Sequence, residues 1–302
     1  MKLKAHSIWK SIVETTEHAI AVGALLPIPT HYVFIEDSGI LFFVRILSSL
    51  SLKDEARIKQ QADTERGKNV NPFLPPEKDL IVADISDTHI AILNKFNVVE
   101  HHLLIVTRDY EDQNTLLTLA DFEALWMCMS EYESLGFYNG GREAGASQQH
   151  KHLQVVPLPL VPEGPAIPIG PLLPQTLIHG IQTISGLPFQ HAFVRLRRGL
   201  EHLPYDAARE TVELYSAMLA SVGMTPPSSS RPQHQSKPYC LLITPDWMLL
   251  VPRSREFFDG ISLNSLAFAG SLFVRDEQQL KRLKSAGLMN VLKGVAIPRE
   301  CP

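Results

Sequence analysis

The chain has 302 residues, 45% of them hydrophobic and 20% charged, and a formal net charge of −4. That is the profile of a globular protein large enough for one big domain or two ordinary ones. It lacks the basic stripe of a general nucleic-acid binder and any apolar run of membrane-spanning length. The three cysteines, Cys128, Cys240 and Cys301, are far apart and form no Cys-x-x-Cys pair, so neither a disulfide framework nor a structural zinc site is indicated. A reducing, cytoplasmic setting is expected. The opening stretch MKLKAHSIWKSIVETTEHAI also lacks the uninterrupted apolar core and cleavage site of a secretory signal.

Residues 7–25 mix apolar and polar positions as an amphipathic helix does, ending near Pro27. HYVFIEDSGILFFVRIL reads as two strands around an Asp-Ser-Gly turn. Residues 53–72 are polar and end in Asn-Pro, as a surface segment with some helix would. DLIVADIS, HIAILNKF and HHLLIVTR follow as short strands, two of them joined by a turn at Asn97. TLADFEALWMCMSEYESLG reads as a helix, with Thr118 and Asp121 spaced as a capping box. Trp126 and Met129 belong to its apolar stripe. LGFYNGG and HKHLQVVPL are strands flanking a REAGAS loop. Seven prolines between Pro157 and Pro174 exclude a regular helix or central strand there, so this is an extended connector. Beyond it come a strand at HAFVRLRR, a helix over 206–222, strands at YCLLITP and WMLLVPRS, and a helix over 276–286. TPPSSSRPQHQSKP is expected to be a disordered loop. The whole is an α+β pattern with mostly antiparallel strands.

The chemistry concentrates in GASQQHKHLQVVPLP. A strand has a side-chain period of two, so His150, His152 and Gln154 share one face and Lys151, Leu153 and Val155 the other. Leu153 and Val155 suit burial and Lys151 suits a strand end, which would leave the histidine row on an accessible surface. Three readings fit the row: a solvated strand face, a His-x-His metal site, or a histidine nucleophile with helpers. Asn139, Gly140, Gly141, Gly145 and Ser147 just ahead of it supply backbone and side-chain donors suited to phosphate oxygens, which favours the third reading. Arg253 and Arg255 could reach phosphates or lie at a solvated strand end. His89, His179, His191 and His202 suit surface or satisfied core positions, and one of His101 and His102 suits a bond within its hairpin.

GASQQHKHLQ resembles the active-site strand of the histidine-triad (HIT) superfamily, in the His-x-His-x-Gln form of its transferase branches. ILNKFNVVEHHLLIVTR is similar to the superfamily's nucleoside-binding hairpin. Asn97 and Glu100–His101 stand where many members carry Pro and Pro–Gly. NPFLPPEKDLIVADISDTH, QNTLLTLADFEALW and YCLLITPDWMLLVPRSREFFDGISLNSLAFAGSLFV resemble diadenosine tetraphosphate phosphorylases (ATP adenylyltransferases). The likeness extends over about residues 20 to 295.

The resemblance implies a HIT-like fold with two related halves: a catalytic half over 1–160, a connector over 161–174 and a C-terminal half over 175–302. It implies phosphorolysis of diadenosine tetraphosphate to ATP and ADP. His152 would be the nucleophile; His150 would shape the site through its backbone carbonyl, and Gln154 and Ser147 would donate to the α-phosphate. Asn94 would contact ribose, with Lys95 beside it. Asn71, Phe73, Asn139 and Gly145 complete the substrate-binding set, Phe73 stacking on adenine, and Lys53 or Lys68 would hold distal phosphates. The implied partners are small molecules, with Mg2+ arriving on the nucleotide and no tightly bound cofactor. A hexose-1-phosphate nucleotidylyltransferase and a non-catalytic dinucleotide-binding protein are the alternatives; the missing cysteine ligands disfavour the first and the intact His-x-His-x-Gln row the second.

Overall fold

Alternation of apolar residues on strands carries this fold, and it is read here from a computed structural model that describes residues 8–47, 71–176, 180–197, 199, 202–224 and 233–299. In chain order the first half forms α1 (Ile8–Ala21), β1 (Thr30–Asp37), β2 (Ile40–Leu47), β3 (Ile81–Asp84), β4 (His89–Leu93) and β5 (Leu103–Thr107). It continues with α2 (Leu119–Met129), β6 (Ser134–Gly140) and β7 (His152–Pro157). The second half contains β8 (Ala192–Arg195), α3 (Pro204–Ser221), β9 (Tyr239–Ile243) and β10 (Trp247–Pro252). It ends with β11 (Phe257–Phe258), β12 (Ile261–Ser262), α4 (Ser265–Phe268), β13 (Ser271–Val274), α5 (Glu277–Ala286) and α6 (Leu288–Val295).

The main sheet has eight strands in the order β3-β4-β5-β7-β6-β9-β10-β8, and every neighbouring pair in it is antiparallel. Strands β6 and β9 join across its middle, so one sheet runs through both halves of the chain. A smaller sheet, β1-β2-β13, adds the fold's parallel pairing, between β2 and β13. The proline-rich connector is not a loose tether. Leu160, Val161, Ile167, Ile169 and Leu173 are all buried in the core.

The two faces of the sheet have different covers. Leu103, Ile105, Leu153, Val155, Leu241 and Ile243 point to the side packed by α1, α2 and α3. On the other side, Phe137, Val156, Leu242 and Leu249 pack under the small sheet, the connector and the C-terminal helices. At the β4–β5 end of that side the cover thins to a separate apolar group, Phe73, Ile90, Ile92, Leu104 and Val106. His152 and Gln154 pair with Val106 and Leu104 and share their face. The site therefore lies where one face of the sheet loses its helical cover.

Candidate active site

The backbone at the histidine row is held by a side chain standing in for a strand. Strands β6 and β7 pair from Ser134↔Pro157 to Phe137↔Gln154, and their ladder stops there. The carboxamide of Gln113 occupies the place of the next rung. Its Oε1 accepts from the His152 N–H at 2.8 Å and its Nε2 donates to the Asn139 carbonyl at 2.9 Å. His150 precedes β7 and forms an isolated bridge with Asp112.

The expectation of an accessible histidine face is corrected: His150, His152 and Gln154 are 2%, 3% and 8% exposed. The physical reason is the turn over Asn71–Pro76, which lays Phe73 on the row at 5.6 Å from the ring of His150 and 5.4 Å from that of His152. Asn71 shapes that turn, its Oδ1 accepting from the Phe73 N–H at 3.0 Å while its Nδ2 lies 3.0 Å from His150 Nδ1.

The bonds fix the tautomers. The Nδ1 of His152 lies 2.8 Å from the His150 carbonyl, which can only accept, so Nδ1 carries the proton and Nε2 presents a lone pair. Among the described residues none hydrogen-bonds that Nε2. Burial is the main cause that drives the His152 pKa down to about 4, so the ring is neutral at physiological pH. His150 is also pushed below the ordinary imidazole range, chiefly by burial. Its Nε2 donates to the Thr107 carbonyl at 2.8 Å and its Nδ1 accepts from Asn71. Both of its ring nitrogens are thus engaged, which removes the second ligand that a His-x-His metal site needs. Among the described residues no group of three or more His, Cys, Asp and Glu side chains is placed to hold a metal.

Gln154 is aimed by two residues from the β4–β5 hairpin. Asn94 Oδ1 faces the Phe96 N–H at 3.4 Å, which leaves its Nδ2 to donate to His102 Nδ1 at 3.1 Å. His102 therefore carries its proton on Nε2 and gives it to Gln154 Oε1 at 3.0 Å, and the amide NH2 of Gln154 is left as a donor. The expected bond within the hairpin is thus found at His102, but its consequence for Gln154 was not legible in the sequence.

The other predicted residues are placed variously. Ser147 is exposed on the loop ahead of the row. Gly145 has φ +92°, and a Cβ there would lie 2.9 Å from the Leu263 carbonyl, so it lets this loop rest against the second half. Asn139 is buried in β6, where its Oδ1 accepts from the Ser265 N–H and hydroxyl at 2.9 and 2.7 Å. Lys95 pairs with Glu77 at 2.6 Å on the surface beside Asn94. Lys53 and Lys68 lie outside the described residues, as do His179 and residues 225–232 of the expected loop.

Arg253 is neither at a phosphate nor at a solvated strand end. It is 1% exposed, and its guanidinium donates to the carbonyls of Val295 (3.1 Å), Arg255 (2.8 Å), Leu263 (3.0 Å) and Ala144 (3.4 Å). A planar five-donor fork suits such a cluster of carbonyls, and it ties the loop ahead of Ser147 to the C-terminal half.

Behind the row, Lys151 corrects a second expectation. It does not snorkel to water but is fully buried, 2.7 Å from Asp121 and 3.1 Å from Glu111. Asp121 is the capping-box residue of α2, and it also bonds His89 Nε2 at 3.1 Å. Burial alone would raise the Asp121 pKa, but His89 and Lys151 outweigh it and hold the carboxyl at about 2. This charged knot pins the strand from its rear face. The Thr118–Asp121 spacing was legible, but the buried lysine it would meet was not.

A buried histidine held neutral, with one ring nitrogen that no described residue bonds, on an antiparallel HIT-like sheet, is the arrangement that histidine-based group transfer needs. The Ap4A phosphorylase N-terminal domain model matches residues 1–175 and the ATP adenylyltransferase C-terminal domain model residues 185–298, so the chain belongs to the Ap4A phosphorylase family. It is 26% identical over 264 residues to diadenosine 5',5'''-P1,P4-tetraphosphate phosphorylase 2 of Saccharomyces cerevisiae, covering 80% of this chain and 78% of that protein. Protein APA1 of the same organism is 26% identical over 246 residues, 74% of each chain. The crystal structure of yeast Ap4A phosphorylase Apa2 superposes with a TM-score of 0.79 at 23% identity, over 99% of this chain and 97% of that one, and establishes the shared fold.

Proposed function

We propose that the protein catalyses reversible phosphorolysis of diadenosine tetraphosphate by inorganic phosphate, giving ATP and ADP. The observation that carries this reading is the His152 ring, neutral by burial and locked by the His150 carbonyl so that Nε2 is a nucleophile. Family membership supports it. A curated relative named as a diadenosine tetraphosphate phosphorylase agrees with it.

In the first step Nε2 attacks an α-phosphorus and the bond to the bridging oxygen breaks, expelling ATP. The adenylyl group is then held on His152, whose ring becomes cationic. The Nδ1–H bond to the His150 carbonyl strengthens against that charge, which favours the intermediate. The Gln154 NH2, turned toward the site by His102, donates to an α-phosphate oxygen as its charge develops. A phosphate oxygen then attacks the adenylyl phosphorus and the P–N bond breaks, releasing ADP. An amide is no base, so Gln154 gives water no help, while anionic phosphate needs none. That contrast favours transfer over hydrolysis.

The apolar group Phe73, Ile90, Ile92, Leu104 and Val106 suits an adenine, with Asn94 at the ribose. Mg2+ enters with the polyphosphate as part of the substrate, and the enzyme acts in the cytoplasm. Among the described residues no helix is long and apolar enough to cross a membrane. Incubation with diadenosine tetraphosphate and phosphate should yield ATP and ADP in equal amounts by chromatography. AMP as the main product, or turnover of UDP-sugar and hexose phosphate in its place, would refute the reading.

A further inference from the structure

A dinucleotide has two bases, and the apolar group on β4 and β5 accounts for one. The second must lie on the far side of the nucleophile. With the first nucleoside at the Asn94 end of the row and its α-phosphorus over His152, the polyphosphate runs past His150. One ring beyond His150 stands Tyr110, 5.5 Å from it between centroids and edge-to-face. Tyr110 is 53% exposed, while His150 and His152 beside it are 2% and 3% exposed. The other exposed aromatics, Tyr32, Tyr205 and Phe257, lie on β1, α3 and β11, away from this row.

The loop that carries Tyr110 is held rather than slack. The Glu111 carbonyl accepts from the Lys151 N–H at 2.8 Å, and the Gln149 carbonyl accepts from the Gln113 N–H at 2.7 Å. The ring is therefore presented on a fixed backbone, so little order is lost when a flat ligand meets it. The charges around it select what that ligand is. Glu111 is turned to Lys151 at 3.1 Å and Asp112 to Asn114 at 2.8 Å, while Asp109, next to Tyr110 in sequence, brings a carboxylate that repels phosphate oxygens and suits the exocyclic amine of a purine.

The geometry points to Tyr110 as the stacking platform for the base of the leaving nucleotide, the adenine of the ATP that departs. This rests on the phosphorolysis reading and deepens it by assigning the second nucleoside a place. It makes Tyr110 a specificity residue for dinucleotides over mononucleoside polyphosphates, with no part in bond breaking.

The test compares Tyr110→Ala and Tyr110→Phe on two substrates with the same adenylyl group. One is diadenosine tetraphosphate. The other is adenosine 5'-tetraphosphate, whose leaving group has no base. Tyr110→Ala should raise the KM ratio, dinucleotide over mononucleotide, by about tenfold, as a lost base–aromatic stack predicts. Tyr110→Phe should restore the ratio to within about twofold, and kcat should change little in either variant. An equal change in KM for both substrates, or no change for the dinucleotide, overturns the assignment. A wild-type enzyme that cleaves adenosine tetraphosphate but not the dinucleotide overturns it as well. Cleavage of neither substrate would instead defeat the phosphorolysis reading beneath it.

Discussion

His152 and His191 are held in the same way in the two halves of the chain. One opens β7 and the other immediately precedes β8. Each gives its Nδ1 proton to the carbonyl two residues back, His150 or Phe189, at 2.8 Å. Each is 3% exposed, and burial is the main cause that pushes each below the ordinary imidazole range. They differ at the other nitrogen. His191 Nε2 accepts from the Ile184 N–H at 2.7 Å and is spent on structure. Among the described residues none hydrogen-bonds His152 Nε2. Locking the tautomer is thus common to both, and the second nitrogen separates them: that of His191 is bonded, that of His152 is left for the nucleophilic role proposed above.

Exchanging each ring for alanine breaks that comparison most strongly. His152→Ala should abolish phosphorolysis while the protein still folds. His191→Ala should retain kcat and lose about 1–3 kcal/mol of stability, the cost of leaving the buried Ile184 N–H without a partner. Loss of turnover in His191→Ala at unchanged stability would show that the two are not different in kind. Lys151→Met tests the knot behind β7. It leaves Asp121 buried without its cation, so denaturant unfolding should show a loss of about 3–5 kcal/mol. A loss under about 1 kcal/mol would mean that the knot is not what holds the strand.

Gln154→Ala should lower kcat by about 10² to 10³, the effect of removing one preorganised donor, with a smaller change in KM. An effect confined to KM would move Gln154 from transition-state stabilisation to ground-state binding. A further effect is in pH. Since His152 folds with a pKa of about 4 against an ordinary 6.5, the unfolded chain binds the proton more readily between those values. Stability should fall as pH drops through that window, and the acid limb of kcat/KM should lie near pH 4. Asp121 shifts in the same direction, its stabilising contribution being present above 3.8 and lost as pH falls toward about 2. An acid limb near 6.5 would show that the nucleophile is not desolvated.

The strands, the capping box and the shared face of His150, His152 and Gln154 were legible because each follows from local period and spacing. What escaped was long-range. Gln113 stands 39 residues from His152, and nothing in QNTLLT marks a side chain that completes a β-ladder. Lys151 read as a surface residue because its carboxylate partner, Asp121, is 30 positions upstream. Arg253 read as a surface cation because carbonyls, unlike carboxylates, leave no trace in a sequence. His102 was placed correctly in its hairpin, but its hold on Gln154 crosses from β5 to β7.

The central claim is that the adenylyl group rests on Nε2 of His152. Incubating the enzyme with diadenosine tetraphosphate carrying 32P at the α-phosphates, in the absence of inorganic phosphate, then digesting it at alkaline pH and mapping the labelled peptide, tests this directly. The account predicts one acid-labile, alkali-stable adenylyl group on the peptide spanning GASQQHKHLQ, absent from His152→Ala and discharged as ADP when phosphate is added. An enzyme that turns over with no label, or with label on any residue other than His152, would contradict it.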